Sequence, residues 1–110
     1  MRFAPLLILD VTVEPSDVRI AVVGEVCIAS VRPLELLLAG IGASLGSRRV
    51  VVDLADTHLL AVTGIAALEA AAADLERGGG RLVLTGAAGL VRRTLEVCGA
   101  GSLLGLASGS

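Results

Sequence analysis

A single α/β domain follows from three passages of this 110-residue chain. The first is Val50-Val51-Val52-Asp53-Leu54, a nearly continuous apolar run of strand length, as expected of a strand covered on both faces. The second is the alanine-rich stretch that ends at Arg77, stops at Gly78-Gly79-Gly80 and leads at once into Arg81-Leu82-Val83-Leu84. Strand, helix, glycine stop and strand in that order make a βαβ unit, with its working end at the first strand-to-helix junction. The third is a pair of β-rich runs, Leu6 to Glu14 and Val18 to Val23, separated by the turn cluster Glu14-Pro15-Ser16-Asp17. Two such runs across a short turn predict an antiparallel hairpin.

The length suits one hydrophobic core. No repeat or linker divides residues 1–110, and Ala107-Ser108-Gly109-Ser110 is expected to be a loose tail. The hydrophobic share is 55%, yet Phe3 is the only aromatic residue, so Val, Leu, Ile and Ala must build the core. All nine basic residues are arginine, set against eleven acids for a net charge of -2. With no basic stripe and no stacking aromatics, nucleic acid is excluded as a partner. The uncharged run Leu36 to Ser47 contains three glycines and two serines and falls short of the roughly 20 apolar residues a membrane span needs. The N-terminal apolar run is broken by Pro5 and ends at Asp10, which suits a first strand rather than a leader peptide. The expectation is a soluble, cytoplasmic domain with no direct membrane insertion.

The remaining elements follow in order. Gly24-Glu25 is expected to break the second strand, and Val26-Cys27-Ile28-Ala29 leads onward to a helix. Ser30 or Arg32 stands near its cap, and Pro33 suits its first turn. Leu34, Leu37, Leu38 and Ile41 form its apolar stripe. Gly40 and Gly42 each weaken a helix by roughly 1 kcal/mol, which predicts a short helix or one frayed at its C-terminal end. In the alanine-rich helix Ile65, Leu68, Ala72 and Leu75 share a stripe, with Glu69, Asp74, Glu76 and Arg77 elsewhere. The other alanines, Ala66, Ala67, Ala70, Ala71 and Ala73, serve either helix propensity alone or a poorly charged face for docking a partner. A last helix, about Ala88 to Cys98, has Val91, Leu95 and Cys98 on one stripe and stops at Gly99-Ala100-Gly101. Ser102 to Leu106 is expected as a short terminal strand or an extended tail.

Chemistry-bearing residues are sparse. His58 is alone, and no serine sits in a nucleophile elbow, so no enzyme is expected. Asp53 and Asp56 could hold a cation, but at a strand end this spacing serves turn formation. Gly86-Ala87-Ala88-Gly89 opens a helix after a strand, yet lacks the lysine and spacing of a phosphate loop. Cys27 and Cys98 match no metal spacing and predict two reduced, largely buried thiols, with a redox-sensing disulfide as the alternative. No cofactor motif is present. Thr63 is placed where the alanine-rich helix needs an N-cap, and its hydroxyl could bond the first turn or carry a phosphate facing the positive helix end.

In this order the pieces resemble the STAS domain of the bacterial anti-sigma-factor antagonist type, over nearly the full length. Gly24-Glu25-Val26-Cys27 resembles that family's Gly-Glu-Leu-Asp, and Val51-Val52-Asp53-Leu54 its strand ending in Asp-Leu. Ala61-Val62-Thr63-Gly64-Ile65 resembles Asp-Ser-Ser/Thr-Gly-Leu. Gly79-Gly80-Arg81-Leu82-Val83-Leu84 and Val91-Arg92-Arg93-Thr94-Leu95-Glu96-Val97-Cys98-Gly99 resemble the later strand and final helix. The resemblance implies a mixed β-sheet of four to five strands with helices packed largely on one side. It implies binding to an anti-sigma factor, usually a serine kinase, that frees a sigma factor until the first Ser of Asp-Ser-Ser/Thr-Gly is phosphorylated.

The departures fall in that very motif. Its acid is Ala61, its phosphoacceptor is Val62, and the acid of Gly-Glu-Leu-Asp is Cys27. Valine carries no hydroxyl, so the usual switch cannot operate there and only Thr63 remains as a weak candidate for phosphorylation. The expectation is a non-enzymatic interaction module whose partner meets Cys27, Ala61, Val62, Thr63, Gly64, Ala66 and Ala67. The alternatives keep the fold and change the role: a STAS subunit docked on a membrane transporter complex, or a redox- or effector-sensing domain using Cys27 or Cys98. Homodimerisation is a further option.

Overall fold

Strand β1 (Leu7–Val13) folds back on β2 (Asp17–Val26), and the Glu14 N–H donates to the Asp17 carbonyl at 2.8 Å to close the hairpin. The computed structural model describes residues 6–45 and 48–103. Within them the chain continues through α1 (Val31–Leu45), β3 (Arg49–Asp53), β4 (Thr57–Leu60), α2 (Val62–Arg77), β5 (Arg81–Thr85) and α3 (Gly89–Val97), ending in a 3-10 turn, Gly101–Leu103. The strands form one mixed sheet in the order β1-β2-β3-β5, with β4 also paired to β2. Only β1 against β2 is antiparallel; the other pairings are parallel.

The long strand β2 holds two neighbours in succession on the side away from β1. Its first half, Asp17 to Ala21, pairs with β3, and Gly24 to Val26 pairs with β4. The change of neighbour occurs at Gly24, where the register with β4 shifts. Gly24 therefore bends β2 rather than ending it, contrary to the sequence expectation. Its φ of +112° favours glycine, and a Cβ there would lie 2.2 Å from the Leu6 carbonyl oxygen. The strand survives because the flanking N–H groups stay paired: Gly24 donates to the Asp56 carbonyl at 3.0 Å and Glu25 to the Leu6 carbonyl at 2.8 Å.

Burial follows the pleat. Val18, Ile20, Val22 and Val26 of β2, Val50 and Val52 of β3, and Leu82 and Leu84 of β5 all enter the main core. Against them lie Val31, Leu34, Leu38 and Ile41 of α1, the stripe Ile65, Leu68, Ala72 and Leu75 of α2, and Val91 and Leu95 of α3. Val51 and Val83 pair with each other and are buried on the opposite face, outside that cluster. The unbroken apolar character of β3 thus reflects cover on both faces.

Helix α1 runs its full course to Leu45 despite Gly40 and Gly42. Burying a Leu or Ile side chain contributes about 1.5–3 kcal/mol. Leu34, Leu38 and Ile41, all buried, therefore outweigh two glycines at about 1 kcal/mol each. At the end of α3 the Ala100 N–H donates to the Leu95 carbonyl at 2.8 Å, the Gly99 N–H to Glu96 at 3.1 Å, and Gly99 has a φ of +78°. This Schellman closure makes Cys98 the C-cap and turns it outward, so it leaves the stripe of Val91 and Leu95 and is exposed. The described part of the terminal segment, Gly101–Leu103, is a 3-10 turn rather than a strand. Residues 104–110, including the expected loose tail, lie outside the described residues.

Candidate functional site

Val26 pairs with Leu60, so the carboxyl ends of β2 and β4 lie side by side, and each runs directly into a helix. From β2 the chain turns through Cys27 to Ser30 into α1; from β4 it passes through Ala61 into α2. The Ala61 N–H donates to the Val26 carbonyl at 2.9 Å, which locks the second junction against the first. Cys27 follows the end of β2, and Ala61 and Val62 follow the end of β4.

Ser30 holds the first turn. Its buried Oγ donates to the Glu25 carbonyl at 2.7 Å and accepts the Cys27 N–H at 3.0 Å. It stands immediately before α1, as expected of a cap, but its hydroxyl reaches back along the chain rather than forward into the helix. The Val31 N–H instead meets the Cys27 carbonyl at 2.8 Å. The Cys27 sulfur lies 3.6 Å from the same Ser30 Oγ.

At the second junction the N-cap is Ala61, extended at φ -78° and ψ 169°, with no side-chain cap bond. Its carbonyl accepts the Gly64 N–H at 2.9 Å and the Ile65 N–H at 3.1 Å. Thr63 is therefore the second residue inside the helix and not its cap. The cap falls at Ala61 because the β4 ladder ends there; the preference for a hydroxyl is overridden by the sheet. No acidic residue occupies the first turn of α2, so the positive end of the helix faces outward uncompensated.

The candidate contact residues separate by depth. Val62 is 67% exposed, and Thr63 and Ala66 are exposed beside it. Cys27 and Ala61 are half-buried, while Gly64 and Ala67 are buried and can only support the surface. A Cβ on Gly64 would lie 2.6 Å from Val26 Cγ1 and 2.8 Å from Leu60 Cδ1, so the glycine is what lets α2 approach β2 and β4. Ala67, Ala70 and Ala71 face α1 instead, across an open cavity of about 320 Å³ whose other wall includes Ala39, Gly42 and Ala43. Much of the alanine run thus serves close packing of two helices.

The sequence reading missed Ile28, which is 83% exposed in the turn beside Cys27. Its only signal was a large aliphatic residue in a short connection, with no periodic partner. Ile28 and Val62 thus leave two large aliphatic side chains exposed just beyond the carboxyl ends of β2 and β4.

The other candidates resolve simply. Asp53 Oδ1 accepts the Ala55 N–H at 2.9 Å, a turn-forming bond. Gly86 packs closely on that turn, its absent Cβ 2.7 Å from Asp53 Oδ1, so the loop before α3 faces a carboxylate rather than offering a phosphate cradle. Among the described residues no group of three His, Cys, Asp or Glu side chains could hold a metal ion, and His58 stands exposed on β4. Both cysteines are free; Cys27 is half-buried and Cys98 exposed, which corrects the expectation of two buried thiols. No described helix is long and apolar enough to cross a membrane.

The same architecture occurs in solved structures. An anti-sigma factor antagonist from Mycobacterium paratuberculosis matches with a TM-score of 0.80 at 19% identity, over 94% of this chain and 87% of that one. The anti-sigma factor antagonist SpoIIAA in its unphosphorylated form matches with a TM-score of 0.70 at 19% identity, over 90% and 85%. The Bacillus cell fate determinant SpoIIAA in the phosphorylated form gives 0.69 at 17% identity, over 90% and 88%. No curated protein matches the sequence. The family model described as "Mlab, STAS domain" matches residues 9–105, nearly the whole chain, and the protein belongs to that STAS family.

Proposed function

We propose that this STAS domain is a non-enzymatic binding module of the anti-sigma-factor-antagonist kind, acting through the junction of β4 with α2 and the neighbouring turn after β2. Its partner is an anti-sigma factor or related kinase, whose capture frees a sigma factor. The observation that carries this reading is Val62, 67% exposed at the first position of α2, where the resembling family has a phosphorylated serine. An exposed valine after β4 and an 83% exposed Ile28 after the paired end of β2 favour an apolar contact that stays available. No kinase can add phosphate at position 62, so binding persists in the presence of ATP.

Immobilised protein incubated with an extract of its source cell, with and without ATP, tests this. A retained kinase-type anti-sigma factor that ATP does not release is the expected result; no retained partner, or release by ATP, would sink the reading. Thr63 is the one hydroxyl left, exposed on the first turn. Phosphate on Thr63 by mass spectrometry after the ATP incubation would restore a switch at a displaced position.

The permanently unswitched junction also favours a second reading, a subunit docked on a membrane transporter complex. The identity of the captured protein separates the two: a transporter ATPase supports this second reading and a kinase the first.

A further inference from the structure

Strand β1 ends the sheet's strand order. Among the described residues no strand pairs with β1 on the side away from β2. Edge strands are normally protected by charge, proline or brevity. Leu7–Val13 has seven residues, no proline and a single charge, Asp10.

The hydrogen-bond parity says which groups are free. Glu14 donates to Asp17 and Glu25 donates to Leu6. In an antiparallel ladder bonded positions alternate, so with the observed register the even positions of β1, Ile8, Asp10 and Thr12, turn their N–H and C=O toward β2. Leu7, Leu9, Val11 and Val13 turn theirs outward. Val11 is 39% exposed and Val13 57%, large aliphatic residues left open along the same edge.

We propose that two copies of the protein pair through this edge, β1 antiparallel to β1, with the two-fold axis at Val11. Three centres are available within the middle of the strand, and side-chain chemistry separates them. An axis at Asp10 sets carboxylate directly against carboxylate, which is destabilising. An axis at Leu9 places Asp10 opposite Ile8. An axis at Val11 places Val11 opposite itself, Leu9 opposite Val13, and Asp10 opposite the Thr12 hydroxyl, which can donate to it. Only the last makes every opposed pair within Leu9–Val13 compatible. It also joins outward-facing positions with outward-facing positions, completing about six backbone hydrogen bonds. The pairing stops where Pro15, which has no N–H, comes opposite Leu7.

The two five-stranded sheets become one. Leu7 lies opposite Gly24, at the junction end of β2, so the two-fold sends the two junctions to opposite ends of the joined sheet. Each stays open to a partner, and the dimer is bivalent. A single strand pairing buries little area, below that of standard interfaces, so the association is reversible and concentration-dependent.

Sedimentation of the full chain from micromolar to millimolar concentration, with amide hydrogen exchange across the same range, tests the proposal. The expected result is a monomer–dimer equilibrium in which protection of the Leu9, Val11 and Val13 amides rises with concentration, while Ile8, Asp10 and Thr12 are protected throughout. Val11→Lys places two like charges on the axis and weakens the dimer by about tenfold or more. Val13→Lys, at a more exposed position, is the second variant, and circular dichroism confirms that each is folded. A monomer at every concentration, a dimer indifferent to both substitutions, or exchange at Leu9, Val11 and Val13 that ignores concentration would each overturn it.

Discussion

Replacing Gly24 by alanine is expected to cost about 3 kcal/mol or more of folding stability, close to the limit for one substitution. Two independent costs combine. The backbone stands at φ +112°, where any side chain is strained, and the new methyl would sit 2.2 Å from the Leu6 carbonyl oxygen. That oxygen cannot yield freely, since it accepts the Glu25 N–H at 2.8 Å. Relief requires opening the hairpin at its junction end or undoing the bend by which β2 passes from β3 to β4. Urea denaturation measures the loss directly. A change below about 1 kcal/mol would show that the bend is not needed to hold β1, β2 and β4 together.

Gly64→Val is expected to cost about 3 kcal/mol, for a reason of packing rather than backbone conformation. The glycine lies within α2 at an ordinary helical position, so the gain in helix propensity favours substitution slightly. The added Cβ, however, meets Val26 Cγ1 at 2.6 Å and Leu60 Cδ1 at 2.8 Å. Val26 is fully buried and stiff at its branched β-carbon, so it cannot swing aside. The two γ-methyls of valine add volume where none is free, and α2 must lift away from the sheet. Thermal unfolding should show a lowered midpoint, and partner binding should weaken with it because the same lift displaces Val62. Gly64→Ala tests the gradation, with a loss smaller than that of valine but still a loss.

Most of the fold was legible because its long-range regularities coincide with local ones. The alternation of β2, the unbroken Val50-Val51-Val52 run and the helical stripes each meet a buried face. The short strand Thr57–Leu60 was not legible as an element. Its burial pattern, buried at both ends and exposed at His58 and Leu59, follows from tertiary position and has no period of its own. Thr57 shows why: its hydroxyl donates to the Val22 carbonyl at 2.7 Å across the sheet, a contact separated by many residues in sequence.

The junction proposed as the site was legible as a feature of the fold, and its geometry was not. The strand-to-helix junction could be found from the βαβ order alone, and the exchange of acid and serine for Ala61 and Val62 could be seen from the resemblance. The depth of each residue could not. Gly64 and Ala67 lie beneath the surface, Ile28 rises out of it, and Thr63 sits two places past the cap because the β4 ladder, not a hydroxyl, decides where α2 begins.

The measurement that bears most directly on the proposed function is the affinity of the captured partner for the wild-type chain and for Val62→Asp, each before and after incubation with ATP. Val62 is exposed and begins a helix, where an acidic residue favours the helix dipole, so the variant should stay folded. A carboxylate desolvated in an apolar contact should weaken binding by about a hundredfold, roughly 3 kcal/mol. The account predicts tight wild-type binding that ATP leaves unchanged and a large loss for Val62→Asp. A wild-type complex that dissociates on ATP treatment, or a Val62→Asp variant that binds as tightly as the wild type, would contradict it.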